Sequence, residues 1–178
     1  KIGIIGGSGL EDPNLLQDYK ELEVETNYGK PSSKITSGKM FGVEVFILSR
    51  HGKKHEIAPT EVNYRANIAA LKKLGCTHII ASSAVGSLRQ NIEPGDLVFP
   101  DQFLDFTKQR KGTFYDKPGE VVHTSFAEPF SKFLRDELIK NAEKLKFKHH
   151  KASTIVVIEG PRFSSKGESF FFRNFADI

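Results

Sequence analysis

The sequence predicts an α/β fold, a mixed β-sheet with helices on its faces. Short apolar runs typical of buried strands alternate with segments of helical apolar spacing, and several of these strands end in loops rich in glycine or serine. The chain of 178 residues is long enough to bury a core of its own. We therefore expect one domain over residues 1–178.

The first part of the sequence predicts four strands. The β-branched run at residues 2–5 ends at Gly6, which is typical of a buried strand that enters a tight loop. Three further strands are expected at residues 22–25, 33–38 and 43–48. The last two flank a turn at residues 39–42 and predict an antiparallel hairpin.

A helix and a buried strand are expected next. Apolar residues recur at helical spacing up to residue 74, Pro59 suits the first turn, and Gly75 lies where a C-terminal cap belongs. The pattern predicts a helix over residues 59–74. Residues 77–83 predict a fully buried strand, and its small terminal residues leave room for a ligand.

The second half predicts two strands at residues 97–100 and 153–158, with a long loop at 101–119. Apolar spacing marks an amphipathic helix between residues 130 and 145. A last helix carrying Glu168 and Arg173 is expected after a cap at Ser164 or Ser165. Residues 176–178 look like the opening of another buried strand, so we expect the C-terminal elements of the fold to be missing.

Composition narrows the class of protein. The net charge of +4 favours anionic ligands, but the densest basic stretch, residues 140–151, lies at the end of a predicted helix, where the dipole favours cations. No nucleic-acid partner is therefore expected. The apolar runs are too short to span a bilayer and the N-terminus does not resemble a signal peptide, so we expect a cytoplasmic protein without a membrane partner.

The loop after the first predicted strand is the first candidate site. Ser8 and its glycine neighbours offer a hydroxyl and closely approachable backbone N–H groups, which suit a phosphate-sized anion. A tight turn capped by Ser8 is the alternative. The loop matches neither the dinucleotide fingerprint nor the Walker sequence, which disfavours a dinucleotide enzyme or an NTPase.

Arg50 and His51 come just after the strand at residues 43–48, with Ser49 between. A guanidinium grips phosphate bidentately and a neighbouring imidazole adds a hydrogen bond, so the pair predicts an anion site. Charges that simply stand in solvent are the alternative. His51 and His55 are four residues apart, but no cysteine, acidic third ligand or HExxH pattern accompanies them, so we expect no metal.

Two more strand ends carry candidate residues. Residues 82–87, with Ser83 and Ala84, supply hydroxyls and bare N–H groups, although a close-packed strand end would look the same. Phe163, beside the rigid turn at 159–162, suits stacking on a flat base. Considered alone, Phe163 favours the alternative of packing in the core.

These motifs occur in one order along the chain. They are IGIIGGSGL (2–10), SRHG (49–52), NYRANIAALKKLG (63–75), SSAVGSL (82–88), PGDLVFPDQFLDFT (94–107) and IEGPRFSS followed by ES (158–169). Together they resemble the trimeric purine nucleoside phosphorylase family over essentially the whole chain. The adjacent Arg50 and His51 and the GPRFSS run are more similar to the methylthioadenosine branch than to the 6-oxopurine phosphorylases.

The resemblance implies a partly barrel-like sheet and a reaction. S-methyl-5′-thioadenosine would react with inorganic phosphate, the co-substrate, to give adenine and 5-methylthioribose 1-phosphate in purine and methionine salvage, without a metal or organic cofactor. The resemblance also implies roles at matching positions. The expected phosphate ligands are Ser8, Arg50, His51, Ser83 and Ala84.

On the nucleoside side the resemblance implies that Phe163 flanks the base. In a homotrimer, His123 would reach the 5′ pocket of a neighbouring subunit, and His55 would lie near that pocket. The acidic pair that protonates adenine in the family lies beyond a segment like residues 176–178, so no catalytic residue is assigned. Two alternatives stay open: a 6-oxopurine nucleoside or 5′-methylthioinosine phosphorylase, and a noncatalytic nucleoside-binding domain.

Overall fold

The computed structural model describes residues 1–6 and 13–178, except the side chain of Pro13, and divides into two compact units. The first unit comprises Lys1–Ala84 and Arg110–Phe114, and the second comprises Val85–Gln109 and Tyr115–Ile178. The expectation of a single domain stays a prediction. Every helix in the described ranges is too short or too polar to cross a membrane.

A five-stranded mixed sheet organises the first unit, in the order β2-β3-β4-β1-β5. Strand β1 pairs in parallel with β4 and with β5, whereas β3 pairs antiparallel with β2 and β4. The strands are β1 (Ile2–Gly6), β2 (Gln17–Leu22), β3 (Ile35–Met40), β4 (Val43–Ser49) and β5 (His78–Ala81). The mixed sheet predicted from the sequence is confirmed.

The predicted hairpin is also confirmed, between β3 and β4. Phe41 and Gly42 both have positive φ, 49° and 79°, as in the type I′ turns that match the twist of paired strands. The strand expected at residues 22–25 is wrong, because β2 occupies Gln17–Leu22. Most of β2 is exposed at the edge of the sheet, so its sequence lacks the apolar pattern on which the prediction relied.

Helix α1 (Tyr64–Lys73) begins later than predicted. Residues Pro59–Glu61 form a separate 3-10 turn, and Val62 is extended. The side chain of Asn63 then accepts a hydrogen bond from the Ala66 N–H and caps α1, so the helix begins at this asparagine and not at the proline. Gly75 follows the helix with positive φ, as predicted.

The core of the first unit lies between α1 and the sheet. Ala70 and Leu71 of α1 pack with Ile35, Phe46 and Leu48 of the central strands. Strand β5 was predicted to be fully buried, and this is wrong. Both of its end residues are exposed because β5 lies at the edge of the sheet in the described part of the chain, and it ends at Ala81, before the two serines.

The second unit contains two pairs of parallel strands. Strand β6 (Leu97–Val98) pairs with β8 (His149–His150), and β7 (Gln102–Phe106) pairs with β9 (Thr154–Ile158). The prediction of a loop over 101–119 is therefore wrong at β7, whose pairing depends on the distant strand β9. Strand β9 matches its prediction in position, but its residues are only half-buried.

Two helices complete the second unit, α2 (Lys132–Lys144) and α3 (Lys166–Phe172). Both predicted helices are confirmed, and Ser165 caps α3. The segment after α3 hydrogen-bonds to β9: the Asp177 N–H donates to the Thr154 carbonyl over 2.8 Å and the Val156 N–H to the Ile178 carbonyl over 2.9 Å. Asp177 and Ile178 thus contact β9 through backbone hydrogen bonds, although residues 176–178 form no strand.

The packing of α1 predicts the effect of truncating Leu71, whose exposed fraction is 0%. Leu71→Ala should lower the free energy of unfolding by about 2–5 kcal/mol, because it removes buried apolar contacts and leaves a cavity. The matched control is Lys72→Ala, an exposed position on the same helix. Urea unfolding should show a loss for the Leu71 variant alone, and an equal loss in both variants would contradict this packing.

Candidate functional site

The carboxyl ends of β1, β4 and β5 meet at one edge of the sheet. The Arg50 N–H, just after β4, donates to the Gly6 carbonyl over 3.4 Å, and the Ser82 N–H, just after β5, donates to the Ile5 carbonyl over 3.0 Å. Ligands of parallel sheets bind outside such strand ends. The predicted convergence of these segments is therefore present in the first unit.

The guanidinium of Arg50 donates three hydrogen bonds to neighbouring groups. Its Nη1 donates to the Ser82 carbonyl over 2.6 Å, its Nη2 to the Ser83 hydroxyl over 3.2 Å, and its Nε to Nε2 of His51 over 3.1 Å. These bonds use three of the five N–H groups of an arginine. Among the described residues no carboxylate pairs with Arg50, so its charge and two N–H groups are available to an anion.

Both ring nitrogens of His51 are engaged in the same network. Its Nδ1 lies 2.9 Å from the Ile57 carbonyl, which can only accept, so Nδ1 carries the proton. Its Nε2 faces the Nε–H of Arg50, which can only donate, so Nε2 carries a lone pair. With the proton on Nδ1 the ring orients Arg50, and the predicted role of His51 as a phosphate ligand stays a prediction.

The loop that carries this histidine depends on Gly52. Gly52 has a φ of 78°, and a Cβ at this position would lie 2.6 Å from the Glu56 carboxyl carbon. Glu56 accepts a hydrogen bond from the Lys54 N–H over 2.7 Å. The exposed ring of His55 lies with its centroid 4.8 Å from that of His51. The loop therefore brings both predicted histidines together beside Arg50.

Ser83 completes the described part of this cluster. Its hydroxyl accepts from Arg50 and donates to the Ala84 carbonyl over 3.3 Å. Ser8 lies outside the described residues, so its role as a phosphate ligand stays a prediction. Among the described residues no group of three histidine, cysteine or acidic side chains could hold a metal ion.

The second unit carries Phe163 and His123. Phe163 is 93% exposed, so the alternative of core packing, which the residue alone favoured, is wrong. His123 is exposed within residues 107–131, which form neither helix nor strand. The structure thus displays both side chains at the surface of this unit, and their roles stay predictions.

An ion pair that was not predicted from the sequence lies beside Phe163. The guanidinium of Arg162 makes two parallel hydrogen bonds of 2.7 Å to the carboxylate of Glu168. Hydrogen bonding from Arg162, and next from the Ser165 N–H, lowers the pKa of Glu168 to about 2. The sequence contained a local signal, since serine and glutamate three residues apart are typical of a helix capping box, which α3 indeed has.

Comparison with known proteins identifies the family of this chain. Residues 1–178 match the model of the phosphorylase superfamily. An S-methyl-5′-thioadenosine phosphorylase of Danio rerio is 51% identical over 183 positions, which cover 100% of this chain and 65% of the relative. One of Thermofilum pendens is 53% identical over 179 positions, covering 100% and 68%. The resemblance inferred from the motifs is confirmed.

A solved structure agrees with the fold. Methylthioadenosine phosphorylase from Schistosoma mansoni in complex with adenine superposes with a TM-score of 0.92 at 43% identity, covering 98% of this chain and 67% of that one. The α/β fold with a mixed sheet is therefore confirmed. The chain spans just under two thirds of the length of the Danio rerio relative.

The pair between Arg162 and Glu168 predicts a pH dependence. The pKa of Glu168 is lowered from 4.5 to about 2, so the stabilisation of the loop by this carboxylate is present above pH 4.5 and is lost as the pH falls towards 2. Carboxyl ¹³C NMR titration should show this low pKa. In Arg162→Gln the pKa should rise towards 4.5, and an unchanged titration would contradict the ion pair.

Proposed function

The chain belongs to the phosphorylase superfamily, and from this premise we propose that it acts in the phosphorolysis of S-methyl-5′-thioadenosine. The products are adenine and 5-methylthioribose 1-phosphate, and the role is purine and methionine salvage in the cytoplasm. The relatives named for this reaction support the substrate. The observation that carries the proposal is the oriented Arg50 at the meeting point of three strand ends.

The reaction needs a phosphate held in place. A phosphate oxygen forms a bond to C1′ of the nucleoside, the bond from C1′ to N9 breaks, and its electron pair leaves with the purine, which takes up a proton. The transition state is a cation-like sugar, so catalysis consists of positioning and of stabilising charge. Arg50 supplies the positive charge for the phosphate, and Ser83, the Ala84 N–H and Ser8 supply further hydrogen bonds.

His51 takes part in this proposal mainly through Arg50. Its ring receives the Nε–H of Arg50 and donates to the Ile57 carbonyl, so it keeps the guanidinium in one orientation. A guanidinium fixed in advance loses little conformational freedom when the anion arrives. Inorganic phosphate is the co-substrate, and we propose that neither a metal nor an organic cofactor takes part.

On the nucleoside side, Phe163 is proposed to stack on adenine. Its exposure supports this role, because a ring that contacts a ligand has to be accessible. We further propose a homotrimer in which His123 reaches the 5′ pocket of a neighbouring subunit, with His55 near that pocket. The exposure of His123 and His55 is compatible with contact to a substrate or subunit.

The test is release of free purine by the whole protein. S-methyl-5′-thioadenosine and inosine are supplied in parallel, each with and without phosphate, and intact mass and circular dichroism verify the protein. Phosphate-dependent release of adenine supports the proposal. Release from inosine alone assigns a 6-oxopurine phosphorylase, and no release from either by a folded protein makes it a noncatalytic nucleoside-binding domain.

A variant of Arg50 tests the phosphate site. Arg50→Ala should raise the KM for phosphate about 10- to 100-fold and lower kcat, since hydrogen bonds to charged groups contribute about 1.5–3 kcal/mol. Lys54→Ala is the matched control, because it removes an exposed cation from the same loop. The measurement is the initial rate at varied phosphate concentration. If a folded Arg50→Ala protein kept the phosphate kinetics of the parental protein, the proposed site would be refuted.

A further inference from the structure

The ring of Phe163 needs something other than core packing to fix its orientation. With 93% of its surface exposed, its aromatic ring is not held by packing in the core. A platform for a flat base has to keep one orientation, because ordering a mobile ring on binding costs conformational entropy. The backbone around Phe163 must therefore be held by other means.

The ion pair of Arg162 and Glu168 contacts this backbone on both sides of Ser164. On one side Nη1 of Arg162 donates to the Phe163 carbonyl over 3.0 Å. On the other side Oε2 of Glu168 accepts from the Ser165 N–H over 2.7 Å. Both atoms also take part in the bidentate pair itself.

Two hydrogen bonds connect the same loop to α3. The Ser165 hydroxyl accepts from the Glu168 N–H over 3.2 Å, and the hydroxyls of Ser164 and Ser169 lie 2.8 Å apart. We call Arg162, Glu168 and their two backbone contacts the clamp. The clamp thus fixes residues 163–165 to the first turn of α3.

We propose that the clamp is a positioning device that presents Phe163 to the purine. The inference rests on the proposed function, since it takes the purine as the partner of the ring. Arg162 and Glu168 are positioning residues, because each acts on the ring only through the backbone. The side chains of the pair are 62% and 36% exposed, and such surface pairs contribute little to global stability. Loss of the clamp should therefore impair nucleoside binding more than folding.

The geometry of the clamp requires an arginine and a carboxylate. A lysine at position 162 keeps the charge but cannot form two parallel bonds and reach the Phe163 carbonyl at once. A glutamine at position 168 keeps an acceptor for the Ser165 N–H, and with it the capping box, but loses the ionic fork. Arg162→Lys and Glu168→Gln therefore break the clamp while α3 remains capped.

The first experiment measures the clamp without any substrate. The 178 residues contain no tryptophan, so Phe163→Trp introduces a reporter whose signal is isolated by subtracting the parental protein. Time-resolved fluorescence anisotropy reports local motion of this indole on the nanosecond scale. In Arg162→Lys and Glu168→Gln the amplitude of fast depolarisation should rise about twofold. Unchanged depolarisation in both variants would overturn the inference.

The second experiment measures kinetics of the whole protein with Phe163 in place. Arg162→Lys and Glu168→Gln should raise the KM for S-methyl-5′-thioadenosine about tenfold, leave the KM for phosphate unchanged, and shift Tm by less than about 2 °C. Phe163→Ala should raise the same KM. Lys166→Gln, which removes a neighbouring cation outside the clamp, should change none of these values.

Two results would overturn the positioning role. One is a joint rise of both KM values with a large fall in Tm, which is the signature of a purely structural pair. The other is full recovery in the reversed pair, Arg162→Glu with Glu168→Arg, because that pair keeps the attraction but has no acceptor for the Ser165 N–H. If the parental protein shows no turnover, the proposed function fails, and the anisotropy experiment still decides whether the clamp holds position 163.

Discussion

The parallel pairing of β1 with β4 on one side and β5 on the other is the constraint on which the candidate anion site depends. The register places Gly6 opposite Ser49 and Ile5 opposite Ala81, so all three strands end at nearly the same height in the sheet. Arg50, the residue after β4, is then within reach of the segment after β5 without a long loop. The network of Arg50 is therefore a consequence of strand register.

The two groups of candidate residues are held in different ways. The Arg50 network joins side-chain and backbone atoms of the segments that directly follow β4 and β5, so its geometry should persist as long as the sheet is folded. The loop of Phe163 depends on a surface ion pair whose carboxylate needs to be ionised, although the pKa of Glu168, lowered to about 2, keeps it so at ordinary pH. The candidate anion site thus depends on the sheet, whereas the proposed position of the Phe163 ring depends on a local ion pair.

Local signals in the sequence predicted much of the fold but little of the hydrogen bonding. The hairpin at Phe41 and Gly42 and the cap at Ser165 depend on neighbouring residues, and both were correct. Strand β7 and the exposed strand β2 were missed because their pairing depends on distant partners. The Ile57 carbonyl that fixes the tautomer of His51 was missed as well, since a backbone atom has no signature in the sequence.

The charge balance at Arg50 has a consequence for the proposed reaction. Nε2 of His51 accepts the Arg50 Nε–H over 3.1 Å, so the ring orients the guanidinium. Among the described residues of this network, Arg50 supplies the one full positive charge that a phosphate dianion would face, and N–H and hydroxyl dipoles would add further stabilisation. Binding phosphate equally tightly in the ground state and in the transition state would not raise kcat. The proposed acceleration therefore has to come from charge interactions that strengthen as the sugar becomes cation-like.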